Sequence, residues 1–159
     1  MAAKSSQTAH ILAELTKNAA EFNQATDTIN SLIERFEDTL RNLQLGIETW
    51  ITYPPLDSEE DTVEYGEGET GEGSIDSQLG FTKRAGEWGL AVRNVVYRRD
   101  EKDDWEFLRV ESEYPLRDAP RQLRIAALGQ FPQLLRDLND KVKDVIKKIR
   151  AAREFVELC

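Results

Sequence analysis

From Leu12 onward, apolar side chains recur in alternating steps of three and four: Leu12, Leu15, Ala19, Phe22, Thr26, Ile29, Ile33, Phe36, Leu40 and Leu43, with Thr26 the one polar member. No Gly or Pro interrupts residues 6–45, and Gly46 follows as a stop. The spacing predicts one helix of about 40 residues, roughly 60 Å long. Its 3.5-residue period is that of a coiled-coil seam rather than of an ordinary surface helix.

The period then changes. Residues 45–53 (LGIETWITY) are β-branched and aromatic and end at Pro54–Pro55, which reads as a strand. Residues 79–83 and 88–98 read as two more strands joined by a turn at 84–87, and 105–110 as a fourth after the polar turn 100–104. The expectation for residues 45–110 is a four-stranded antiparallel meander. Asp118 is a plausible N-cap before Pro120, and a short helix is expected to about Leu128. Gly129 and Pro132 then punctuate the chain, by a break or a kink. Beyond them Phe131, Leu135, Leu138, Val142, Val145, Ile149, Ala152 and Val156 again step by four and three, predicting a long C-terminal helix within 119–157. The 159 residues make a single α+β domain with coiled-coil-like helix packing.

Charge changes the picture at one place. Residues 57–76 hold nine acids (Asp57, Glu59, Glu60, Asp61, Glu64, Glu67, Glu69, Glu72 and Asp76) and no base. Removing them from the totals of 30 acids and 21 bases leaves 21 of each, so the net charge of −9 belongs to one segment. Residues 57–78 also carry the glycine-rich run EYGEGETGEGS, and no large apolar residue lies between Tyr65 and Ile75. Composition therefore predicts a mobile, disordered acidic loop there.

Candidate chemistry is sparse. His10, the only histidine, lies near the start of the first helix, and Cys159, the only cysteine, has no evident neighbour to activate it. Two such residues cannot build a structural zinc site. Residues 66–71 (GEGETG) match G-x-G-x-x-G, but no helix follows and the acids would repel a pyrophosphate. A calcium-loop register begun at Asp57 puts Thr62 where a glycine is required and Gly68 where the bidentate glutamate belongs. Asp103 and Asp104 fit a polar turn better than a magnesium site. No catalysis, metal or cofactor is expected.

Binding surfaces remain. Nine of the thirteen aromatics fall between Trp50 and Tyr114. A sheet covered on one side only would present Trp50, Trp88, Tyr97 and Trp105, with Arg93 and Arg109, to a partner or small ligand. Lys141, Lys143, Lys147, Lys148, Arg150 and Arg153 form a basic stripe that could meet nucleic acid, with the acidic segment as an intramolecular competitor. That reading ranks second, and a ligand sensor on the sheet third. Lengths favour self-association. Packed antiparallel on a first helix of about 60 Å, the shorter C-terminal helix would leave about 20 Å of seam bare. A homodimer through Leu12, Leu15, Phe22, Ile29, Ile33, Phe36, Leu40 and Leu43 would cover it. No window is long and apolar enough to span a membrane, the N-terminus lacks the apolar core of a secretory signal, and cysteine usage suits the cytoplasm. The leading expectation is thus a non-enzymatic interaction or assembly module with a protein partner of unidentified kind.

Overall fold

The computed structural model describes residues 2–159 as α1 (Ala2–Asn42), five strands, a 3-10 turn (Leu116–Asp118) and α2 (Arg121–Glu157). The strands are β1 (Thr49–Trp50), β2 (Asp57–Gly66), β3 (Glu69–Arg84), β4 (Glu87–Arg99) and β5 (Trp105–Pro115), all paired antiparallel in one sheet. β3 is central: β4 lies along one edge, and β1 and β2 share the other. The α+β class expected from the sequence stands, with five strands in place of four.

The acidic segment is a hairpin and not a disordered loop. Glu67 and Gly68 turn the chain with φ of 46° and 82°, as a tight two-residue hairpin loop requires. The register keeps like charges apart. Asp57, Glu59, Glu60, Asp61 and Glu64 on β2 face Ser77, Ile75, Ser74, Gly73 and Thr70, while Glu72 and Asp76 face Thr62 and Ser58. No acid stands directly opposite another within the ladder, so the destabilising cross-strand arrangement is avoided. Glycines that look like loop residues are platforms: a Cβ on Gly71 would strike the Tyr65 ring, and one on Gly73 the side chain of Val63. Composition misled because β2 is solvated on both faces for most of its length, with Val63 its one buried residue.

One face of the sheet carries the core. Leu79, Phe81, Leu90 and Val92 pack with Ile33 and Leu40 of α1 and with Leu134 and Leu138 of α2. Only Thr26, Ile33 and Leu40 of α1 are buried, one every seven residues, so the helix touches the core along a single line. The Thr26 hydroxyl donates to the Phe22 carbonyl at 2.9 Å, which satisfies the polar member of the stripe within its own helix. The expected break between two C-terminal helices does not occur. Pro132 forgoes one helical hydrogen bond, but Ala127 and Leu134, on either side of it, are both fully buried and carry α2 through.

The helices run parallel, correcting the antiparallel expectation. The Arg121 guanidinium lies over Phe22 at 4.3 Å, Arg124 donates to Asn30, and Phe131 stacks on Phe36 at 4.1 Å. Both numbers rise together along this contact. The link after β5, a 3-10 turn at Leu116–Asp118 followed by extended Ala119 and Pro120, returns the chain to the middle of α1, where α2 begins beside Phe22. Contact is confined to the overlap and is not a continuous coiled-coil seam.

Polar bonds fix where α1 crosses the sheet. Glu37 Oε2 accepts the Leu90 N–H at 2.8 Å, its Oε1 meets Arg41 Nη2 at 2.7 Å, and Arg41 Nε donates to the Trp88 carbonyl at 2.5 Å. Replacing Glu37 with Ala orphans a buried N–H and is expected to cost about 1–3 kcal/mol in chemical denaturation; an unchanged midpoint would show that water replaces the carboxylate.

Candidate interaction surfaces

The open face of the sheet bears a ladder of polar and aromatic side chains produced by strand alternation. Trp50 opposes Gly80, Gln78 opposes Arg93, Ser74 opposes Tyr97, and Tyr97 opposes Phe107. Side chains opposite one another share a face, and two-residue steps stay on it. The Arg93 guanidinium lies 4.4 Å over the Trp50 ring and its Nε donates to Gln78 Oε1 at 2.9 Å. Gln78 Nε2 donates in turn to the Tyr97 hydroxyl at 2.8 Å, and Tyr97 meets Phe107 edge-on at 6.2 Å. Ser58, Ser74 and Asp76 form a second cluster, with Asp76 Oδ1 accepting from both hydroxyls. Burial lowers the Arg93 pKa from its ordinary value, opposed by Tyr97, Glu48 and Glu113; the group stays cationic.

Of the residues expected on this face, Trp50, Arg93 and Tyr97 come together. Trp105 stands at the far end, 45% exposed beneath Arg99. Trp88 is on the opposite, helix-covered side, stacked on Phe81 at 5.5 Å. Arg109 reaches instead to the β2 edge and donates to the Glu64 carbonyl at 2.7 Å. Sequence reasoning missed Gln78, Ser74 and Asp76; their alternation through S-I-D-S-Q was the available signal. The ladder partners its own polar atoms, so it is a finished surface rather than an open ligand cradle. A hollow of about 80 Å³ beside Glu37, Arg41, Arg84 and Arg117 has room for a few waters.

The two helices present different surfaces. Every residue from 2 to 25 of α1 is exposed, as is every residue from 143 to 159, which includes the end of α2. The expected oligomer interface therefore divides. Leu12, Leu15, Phe22 and Leu43 are exposed, Ile29 and Phe36 are half-buried, and Ile33 and Leu40 belong to the chain's own core. Those last two cannot reach a partner, because the sheet occupies the side of α1 they project from.

On the basic stripe, Lys141 donates to the Glu48 carbonyl at 2.8 Å and Arg153 pairs with Glu157 at 2.8 Å. Among the described residues, Lys143, Lys147, Lys148 and Arg150 make no ion pair. Lys143, Lys147 and Arg150 line a shallow groove with Asp140 and Asp144. Asp103 and Asp104 sit in a turn organised by Asp100, whose Oδ1 accepts the Lys102 and Asp104 N–H groups. His10 and Cys159 are exposed and far apart in the chain. No group of three His, Cys, Asp or Glu side chains is placed to hold a metal ion, and no helix is long and apolar enough to cross a membrane, among the described residues.

Comparison of the chain with known families, characterised proteins and solved structures gives no match.

Gln78 is fully buried and holds both Arg93 and Tyr97. Its replacement by Leu is expected to lower stability by about 1–3 kcal/mol in urea titration, since the Arg93 donor and the Tyr97 acceptor both lose their partner. An unaltered unfolding curve would reduce the ladder to a surface decoration.

Proposed function

We propose that this chain is a non-enzymatic assembly module that associates with further copies of itself through its projecting helices. The observation that carries the reading is the pair of bare apolar stripes. Ile11, Leu12 and Leu15 on α1 are 55%, 62% and 60% exposed, and Ile149, Phe155 and Val156 on α2 are 62%, 68% and 67% exposed. A helical arm that packs on nothing has only its intrinsic propensity to hold it, which in water is marginal at this length. Apolar surface of this kind is poorly tolerated in a soluble monomer. The ladder on the open sheet face would then be the surface offered to a protein partner. One exposed cysteine suits a reducing compartment such as the cytoplasm.

A second reading has its own support. Among the described residues Lys143, Lys147, Lys148 and Arg150 make no ion pair, and Lys143, Lys147 and Arg150 share one groove, the pattern of a helix that meets polyanions. Binding to duplex DNA that weakens with salt, and weakens further on Lys147→Ala with Lys148→Ala, is its expected signature. Absence of binding at low salt would remove it.

For the leading reading, light scattering behind a sizing column is expected to return at least twice the 18.2 kDa chain mass, rising with loading concentration. A monomer at every concentration would overturn it.

A further inference from the structure

The overlap of the two helices is short compared with either of them. Arg121, the first residue of α2, lies on Phe22, and Phe131 lies on Phe36. α1 therefore extends about 30 Å beyond the start of α2, over residues 2–21 at 1.5 Å per residue. Residues 143–157 of α2 run on for roughly 22 Å past their last partly buried neighbour, Val142. Because the helices are parallel, these overhangs point out of opposite ends of the molecule.

Each overhang prolongs the face that already meets the other helix. On α2, Ile149 lies 18 residues after Phe131, which is five whole turns, and Val142 and Val156 fall on the same side. On α1, Phe22 and Leu15 lie 14 and 21 residues before Phe36 and keep close to its side, with Ile11 beyond them. The line of α2 that packs on α1 thus continues where α1 has ended, and the line of α1 that receives α2 begins before α2 has started. What each overhang lacks is the surface the other supplies.

Charge sharpens the choice. Residues 143–157 hold five bases against three acids, so two such segments laid together would repel. Residues 2–21 are balanced, with Lys4 and Lys17 against Glu14 and Glu21. The α1 overhang is the better neighbour for the α2 overhang than a second α2 is. Pairing two α1 overhangs about a two-fold axis would also leave both α2 stripes bare.

We propose that the copies join head to tail, the α2 overhang of one lying parallel beside the α1 overhang of the next and prolonging the helix contact already present within each chain. This rests on the self-assembly reading above and specifies its geometry. Such a contact uses two different patches, so it closes into a ring or continues as a filament and does not stop at a two-fold dimer.

Two full-length variants test it, Leu15→Glu on α1 and Ile149→Glu on α2. These sites are 60% and 62% exposed, so neither substitution touches the core. Each variant alone is expected to be monomeric by light scattering. An equimolar mixture is expected to recover a species of twice 18.2 kDa, because one intact α1 face and one intact α2 face remain. A dimer of Ile149→Glu alone would show α1 pairing with α1, a dimer of Leu15→Glu alone would show α2 pairing with α2, and a mixture that stays monomeric would show no complementary pairing; each overturns the head-to-tail contact. Failure of the unsubstituted chain to associate would instead overturn the assembly reading itself.

Discussion

Burial of one face of the sheet under two helices is the constraint on which the remainder of the molecule depends. Leu79, Phe81, Leu90 and Val92 are no more than 1% exposed, and each such side chain contributes roughly 1.5–3 kcal/mol when fully buried. Glu37 and Arg41, bonded to the backbone of β4, determine where α1 crosses those strands. That crossing lies in the last half of α1, while α2 crosses with its first half. The unpacked halves follow directly from the anchoring: α1 has no buried residue before Thr26, and α2 has none after Leu138.

The far side of the sheet obeys a different rule. With no helix above it, β pairing is sustained by backbone hydrogen bonds and by side chains that partner one another. Gln78 links Arg93 to Tyr97, Trp50 lies under Arg93, and Asp76 holds Ser58 and Ser74. A buried polar group is tolerated when its partners are present, and here they come from adjacent strands in register. The same register spaces the acids of β2 against Ser, Thr, Gly and Ile, so the segment that carries the whole net charge still forms a strand. Cations on the neighbouring strands support it: Arg99 lies 3.8 Å from Glu72, and Arg109 reaches the Glu64 carbonyl.

Direction matters as much as burial. Had α2 run against α1, its free end would lie beside the free end of α1 and one chain could cover much of its own apolar stripe. Running parallel, the helices separate their bare segments and place a basic surface at one end only. The asymmetry arises in the short link from Leu116 to Pro120, where buried Leu116 and Ala119 hold the chain against the core while it travels back.

Local physics was legible in the chain. A 3.5-residue period without Gly or Pro announced α1, because helix periodicity and propensity are properties of contiguous residues. Turn residues at 84–87 and 100–104 placed two strand connections for the same reason. The acidic hairpin was hidden, since pairing between backbones leaves no apolar alternation when both faces are wet. Pro132 read as a break because its cost is local, whereas the burial of Ala127 and Leu134 that outweighs it comes from a sheet distant in sequence. The seam residues illustrate the division most plainly: Leu12, Ile33 and Leu40 occupy equivalent heptad positions, yet the first is 62% exposed and the others lie in the core. The pattern determined that these side chains lie along one side of a helix. Only the tertiary structure decided which of them the sheet would cover, because that depends on where the helix is anchored and how far the strands extend beneath it.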